Sequence, residues 1–321
     1  MNRSSSLNKF ALTLSVTVAL AFVAVAAARR FGPWSMPINV EEISGTSAEF
    51  NTPFSDGCPI QAPDGLSLYM ATNRPGGLGG LDIWVARRAS RDEPWGAPEN
   101  LGAPVNSAAD DFCPTPTRGN RLFFVSARPG GFGAADVYVT RFRNGAWEQP
   151  SNLGCNINSA AGEASPSFFE DEDGHAILYF SSNRAGGFAP ETGAPDSDIY
   201  FSSDFGPAQL VPGLNTESED SRPNVRSDGR EIVFDSTRPG GLGGPDIWTA
   251  TRDYCDEDWS APVHLDAPLN SAASETRASL SWNGRTMYFG SNRPGSEPGA
   301  SGAPSNDIYM TTRDRRFHNN H

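Results

Sequence analysis

Carboxylates and arginines return along this chain at a fixed spacing. Asp56, Asp111, Glu163, Asp220 and Glu275 each stand five residues after an asparagine (Asn51, Asn106, Asn158, Asn215, Asn270). An arginine follows each acid, at Arg74, Arg128, Arg184, Arg238 and Arg293, in steps of 54, 56, 54 and 55 residues. A second acid closes each copy: Asp82, Asp136, Asp198, Asp246 and Asp307. A guanidinium can pair bidentately with a carboxylate, and two carboxylates across a cleft can act as general acid and base. Because every copy carries the whole set, these fifteen residues are read as ion pairs that lock the repeating unit, the motif aspartate being a second possible partner for the arginine. Catalysis would require one copy to differ from the rest.

The positions that break the repeat are therefore the informative ones. Two residues past each acid stand Cys58, Cys113, Ser165, Arg222 and Arg277. Arg222 and Arg277 could present a positive spot to an anionic group, or pair with neighbouring acids such as Asp220 and Glu275. Cys58 and Cys113 occupy equivalent sites in successive copies and are a possible disulfide if those sites come close; Cys155 and Cys255 do not share a site. The spacing from motif arginine to motif aspartate is 8 residues in three copies and 14 in two. Both longer versions contain Gly-Ala-Pro, at Gly193-Ala194-Pro195 and Gly302-Ala303-Pro304, and these loops are candidate ligand or partner contacts. The acidic runs Glu170–Gly174 and Asp253–Asp258 lack calcium-loop spacing and read as solvated hairpins. His175 and His264 also read as solvated. No metal-ligand spacing is present and no cofactor is expected.

The elements that must hold these residues are short strands. Each copy has an X-Gly pair before the arginine motif, such as Asp64-Gly65, Asp173-Gly174 and Asn283-Gly284, suited to a tight hairpin turn. An apolar run follows, for example Arg121–Ser126 or Ala176–Ser181, its near-continuous hydrophobicity implying burial on both faces. Then R-P-G-G ends the strand, since proline has no N–H to donate. Asp82–Arg87 and its copies form a third strand, and W-x-x-P (Trp95…Pro98, Trp147…Pro150, Trp259…Pro262) announces a fourth. Four antiparallel strands repeating every 55 residues or so predict an all-β fold, a five-bladed β-propeller of four-stranded antiparallel blades. The last copy stops after its third strand, while Trp34-Ser-Met-Pro37 stands unused near the start. Residues 34–45 are expected to complete the fifth blade, closing the ring with an N-terminal strand.

Composition fits this reading. The chain has 37% hydrophobic residues, 33 Gly and 26 Pro, which favours many turns over long helices. Its net charge of −13, with Lys9 the single lysine, argues against nucleic acid as a partner. Residues 1–28 combine Arg3 and Lys9 with an apolar run from Phe10 to Ala28 and small residues at its end, the pattern of a signal peptide, or of an anchor if uncleaved. The expected organisation is 1–28 signal peptide or N-terminal anchor, 31–314 a single propeller and 315–321 a disordered tail. The protein is expected to be periplasmic or secreted, on a membrane only if the N-terminal segment is retained, and monomeric.

The sequence L-Y-F-S-S-N-R-P-G-G-x-G-G-x-D-I-Y, assembled from the copies between Trp34 and Arg313, resembles the TolB-type, WD40-like propeller repeats of bacterial exported proteins. The resemblance implies an exported propeller that docks within a cell-envelope assembly. TolB's separate α/β domain and a peptidoglycan-binding domain have no counterpart here, so the expectation is a stand-alone propeller acting as a non-enzymatic binding scaffold, with another envelope protein or a glycan as partner. The alternative is a carbohydrate-active enzyme. Five-bladed propellers include glycosidases with carboxylates in the central channel; carboxylates beyond the repeated set, near Arg222 and Arg277, would favour that reading.

Overall fold

The computed structural model describes residues 31–188, 196–299 and 301–316. Five antiparallel sheets follow one another along the chain. Their innermost strands are Asp56–Gln61, Asp111–Thr117, Glu163–Glu170, Asp220–Val225 and Glu275–Leu280, here taken as blades 1 to 5. The second strands are Ser67–Thr72, Arg121–Ser126, Ala176–Ser182, Glu231–Ser236 and Thr286–Ser291, and the third begin at the motif aspartates. In blades 1 to 4 the two-residue outer strands Glu99–Asn100, Ser151–Asn152, Gln209–Leu210 and Val263–His264 complete the sheet. The chain is a five-bladed β-propeller with four-stranded antiparallel blades, as the repeat predicts. Blade 2 adds a short strand, Ala146–Trp147, paired with the extended end of its third strand.

Blade 5 is closed from the other end of the chain. Ile38 and Asn39 pair antiparallel with Met310 and Tyr309. The segment before them is fixed by Arg313, whose guanidinium lies 3.9 Å from the Phe31 ring and 4.2 Å from the Trp34 ring while donating to Glu231 at 2.7 and 2.6 Å. The chain continues to Arg315, which bridges Phe31. The apolar N-terminal segment and residues 317–321 lie outside the described residues.

The core is divided between blades. One apolar cluster joins Phe123, Val137 and Ile157 to Phe168, Leu178 and Phe180, across blades 2 and 3. Another joins Tyr179, Ile199 and Val211 to Ile232, Phe234 and Trp248, across blades 3 and 4. Between blades 5 and 1 the same role falls to Val40, Phe50, Leu68, Met70, Trp95 and Tyr288. No blade buries its apolar face alone, so closing the ring is a condition of stability.

Residues 31–50 supply that closing strand together with Val40 and Phe50, both 0% exposed. Their deletion should cost about 3–6 kcal/mol from the two buried side chains alone and bring a large fall in melting temperature. A truncated chain that melts with the full one would refute this account of closure.

Candidate functional site

All five repeated acids begin an innermost strand and are 0–1% exposed. Each meets the arginine of its own blade: Arg74–Asp56 at 2.6 Å, Arg128–Asp111 at 2.7 Å, Arg184–Glu163 at 2.9 Å, Arg238–Asp220 at 2.5 Å and Arg293–Glu275 at 3.1 Å. The same guanidinium donates to the carbonyl of the residue before the repeated asparagine, as Arg128 does to Val105 at 2.5 Å and Arg238 to Leu214 at 2.6 Å. The asparagine reaches the preceding blade. Asn106 accepts from the Ile83 N–H and donates to the Ile83 carbonyl, both at 2.9 Å. Asn51, Asn158, Asn215 and Asn270 bracket Ile308, Val137, Ile199 and Ile247 in the same way.

The motif aspartates do something else. They accept from the N–H of the loop residue after R-P-G-G, as Asp136 does from Phe132 at 2.6 Å and Asp198 from Phe188 at 2.7 Å. A side chain of the outer strand donates to them as well: Asn39 to Asp307 at 3.1 Å, Asn100 to Asp82 at 3.1 Å and Asn152 to Asp136 at 2.8 Å. The expected pairing of motif aspartate with motif arginine is thus replaced by pinning of the bend to the outer strand, because the arginine points inward to the first strand. In blade 4 the donor's place is taken by His264, whose Nε2 lies 2.9 Å from Asp246. Its side chain is only 10% exposed, which corrects the expectation of a solvated histidine. In blade 3 the place falls to Leu210, and the Asp198 carboxyl, short of a donor and buried, is pushed up to about 6.

The residues that fail to repeat meet at the axis. Cys58, Cys113, Ser165, Arg222 and Arg277 all have left-handed backbone, with φ between 47° and 56°. Each sits where the pairing of the first two strands slips. Such bulges re-aim a side chain, here into a cavity of about 30 Å³ lined by all five. On one side Cys58 and Cys113 are joined as a disulfide, and Ser165 Oγ lies 3.3 Å from the Cys113 sulfur. On the other side stand the two arginines.

Their partner is Asp235, on the second strand of blade 4. The positions equivalent to it are Ala71, Val125, Ser181 and Gly290. Asp235 is 0% exposed. It accepts from Arg222 Nη1 at 3.2 Å and from the Arg277 backbone N–H at 2.9 and 2.8 Å. Burial pushes its carboxyl up to about 6, against the pull of Arg222 and of that N–H. Arg222 does not pair with Asp220, nor Arg277 with Glu275; both acids belong to motif arginines. Arg222 instead spans from Asp235 to Glu219 Oε1 at 3.5 Å, and the Glu219 side chain is 39% exposed.

Glu219 stands at the start of blade 4 beside the end of the long loop of blade 3, where the Asp220 N–H donates to the Ser197 carbonyl at 2.8 Å. Asp196 lies at that loop end. Burial raises its pKa, and the negative charges of Asp220 and Glu219 raise it further. Glu219 shares its position with Asp110 of blade 2, while Asp196 and Asp235 stand where the other copies have no acid. Writing the five copies one above another would have found them: Asp235 shares its column with alanine, valine, serine and glycine.

Of the two long loops, Gly193 and Pro195 lie outside the described residues. Gly302 and Pro304 are exposed and sit in a loop that closes on itself, Gly299 donating to Ala303 and Gly302 to Gly299, each at 2.8 Å. Among the described residues no contact joins them to Arg222 or Arg277. Around the face that bears the motif bends, Leu78, Phe132, Phe188 and Leu242 are 46–52% exposed at one position of the repeat. Among the described residues no three His, Cys, Asp or Glu side chains converge to hold a metal ion.

No protein-family model matches the sequence, and no curated protein does. Solved structures do match. A GH43_12 protein retrieved from a capybara gut metagenome superposes with a TM-score of 0.57 at 15% identity, over 90% of this chain and 56% of that one. An α-L-arabinofuranosidase from Lactobacillus brevis gives 0.54 at 12% identity, over 86% and 94%. TolB from Acinetobacter baumannii gives 0.46 at 13% identity, over 77% and 53%, too loose a likeness to argue from. At these identities the likeness is one of fold. The expectation of a non-enzymatic scaffold is nonetheless overturned. The better-superposing propellers are glycoside hydrolases, and a carboxylate outside the repeated set stands against Arg222 and Arg277.

Replacing Arg128 with alanine leaves Asp111 buried and unpaired and should cost about 3 kcal/mol in urea unfolding; a loss under about 1 kcal/mol would contradict the locking role. Asp235 gives a pH signature. Its folded pKa lies above the ordinary 3.8, so its contribution to stability is greatest below that value and declines as pH rises to about 6. The stability of the chain relative to an Asp235→Asn variant should fall across that window, and a flat difference would rule out the raised pKa.

Proposed function

We propose that this propeller is a carbohydrate-active enzyme of the glycoside-hydrolase kind, working at the mouth of the axis between blades 3 and 4. The observation that carries this reading is that Glu219 and Asp235, acids outside the fivefold lock, flank the Arg222 guanidinium, with Asp196 close enough to Glu219 to feel its charge.

The chemistry needs two carboxyls in different protonation states. Asp196, whose pKa burial and neighbouring acids raise, suits the proton donor to the departing glycosidic oxygen. Glu219, partly exposed beside Arg222, suits the base that takes a proton from the attacking water. Water adds across the cleaved bond, the proton lost by Asp196 being replaced by the one that Glu219 removes and returns through solvent. Asp235 is too deeply covered to meet a sugar. It is a positioning residue, holding Arg222 against Glu219. The axial cavity of about 30 Å³ is far too small for a sugar ring, so the glycan lies across the mouth. The apolar N-terminal segment supports an exported enzyme acting on extracytoplasmic glycan.

A panel of chromogenic glycosides and polysaccharides tests this. The chain should turn over at least one member, and Glu219→Gln should lower kcat about 100-fold or more with little change in melting temperature. Asp196→Asn should remove the alkaline limb of the pH profile. A folded chain that turns over nothing, or a Glu219→Gln variant of full activity, would defeat the proposal.

A further inference from the structure

The two axial arginines are not used alike. Arg222 is spoken for, donating to Asp235 and Ser221 and facing Glu219. Arg277 offers Asp235 only its backbone N–H. Its guanidinium makes no hydrogen bond among the described residues, and its Nε is buried without a partner. The group remains charged at neutral pH although burial and Arg222 push its pKa down to about 10. Room is kept for it: a Cβ on Gly57 would stand 3.1 Å from Arg277 Nη1, and the equivalent positions carry Phe112, Ala164, Ser221 and Thr276. Asp235 and Glu219 both face Arg222, and the Arg277 guanidinium has no carboxylate hydrogen-bonded to it among the described residues.

A guanidinium whose Nε is buried without an acceptor is costly until one satisfies it. The acceptor that fits a planar fork of N–H groups is a carboxylate or another small oxyanion. Size narrows the choice, because a cavity of about 30 Å³ takes one small group and no ring. Resting on the reading of the mouth as a glycan site, we infer that the axial cavity receives the carboxylate of a uronic acid, bound by Arg277, so that the substrates are acidic glycans. The sugar ring stays at the mouth beside Glu219, and only its carboxylate enters the axis.

The test is calorimetric titration of the full chain with galacturonate, galactose and acetate. Galacturonate should bind and galactose should not, with acetate at least about 10-fold weaker than galacturonate. Arg277→Ser should weaken galacturonate binding about 10-fold or more, while its circular dichroism and melting temperature stay close to those of the parent. The serine is tolerable because Ser165 holds the same left-handed backbone in blade 3. Arg277→Lys keeps the charge without the fork and should bind at an intermediate level. Equal binding of galactose, acetate as strong as galacturonate, or galacturonate binding unaffected in both variants would each overturn the inference. Glu219→Gln separates the two readings, since it should lose turnover and keep galacturonate binding. If no glycoside is hydrolysed yet galacturonate binds through Arg277, the hydrolase reading falls and the carboxylate site stands. If neutral glycosides alone are hydrolysed, the reverse holds.

Discussion

Each blade of this propeller hangs on one buried ion pair between the first residue of its inner strand and the arginine that ends its second. A carboxylate at 0–1% exposure is unstable without a partner, and the guanidinium supplies one while also capturing backbone carbonyls from the loop that carries the asparagine. That asparagine then imitates a backbone amide against the third strand of the previous blade. One arginine thereby orients its own blade and, through the loop, the blade before it. The apolar clusters between blades follow from this alignment, since they form only when neighbouring sheets are held at the same height.

Once that lock fixes the frame, the axis is free to vary. Five bulged residues point into it from five equivalent sites, and nothing in the lock depends on their identity. One side of the ring is neutral, with a disulfide and a serine, and the other carries two arginines over a buried aspartate. A fold built from near-identical units can acquire a directional site only through such departures. The departures of charge seen here collect on one side, between blades 3 and 5. The long loop of blade 3 ends at Asp196 beside that side, so the longer bend and the axial charges belong to one region.

Most of the fold was legible in the sequence because its causes are local and repeated. X-Gly turns, apolar runs and R-P-G-G each act within a few residues, and fivefold recurrence removes the ambiguity of any one copy. The unused Trp34-Ser-Met-Pro37 even disclosed the closing strand. The site was legible only in part. Arg222 and Arg277 stood out because they occupy a column marked by the nearby acid. Asp235 did not, since it sits inside an apolar strand (E-I-V-F-D-S) and its partner N–H comes from Arg277, 42 residues away in the next blade. His264 was misread for the same reason: its role is set by Asp246, 18 residues earlier, and shows only when it is aligned with Asn100 and Asn152.

The balance of charge at the axis bears on whether these groups serve stability alone. A structural pair would be satisfied within itself, as the five repeated pairs are, each guanidinium having a carboxylate of its own. At the axis Asp235 and Glu219 both face Arg222, Asp235 is itself held up near 6, and the Arg277 guanidinium keeps a buried donor idle. For stability alone, a residue without the idle donor would serve at 277, and Ser165 holds the same left-handed backbone in blade 3. Retention of a half-satisfied cluster is what a binding site looks like before its ligand arrives: charge preorganised at a cavity, its cost borne by a frame stable enough to hold it.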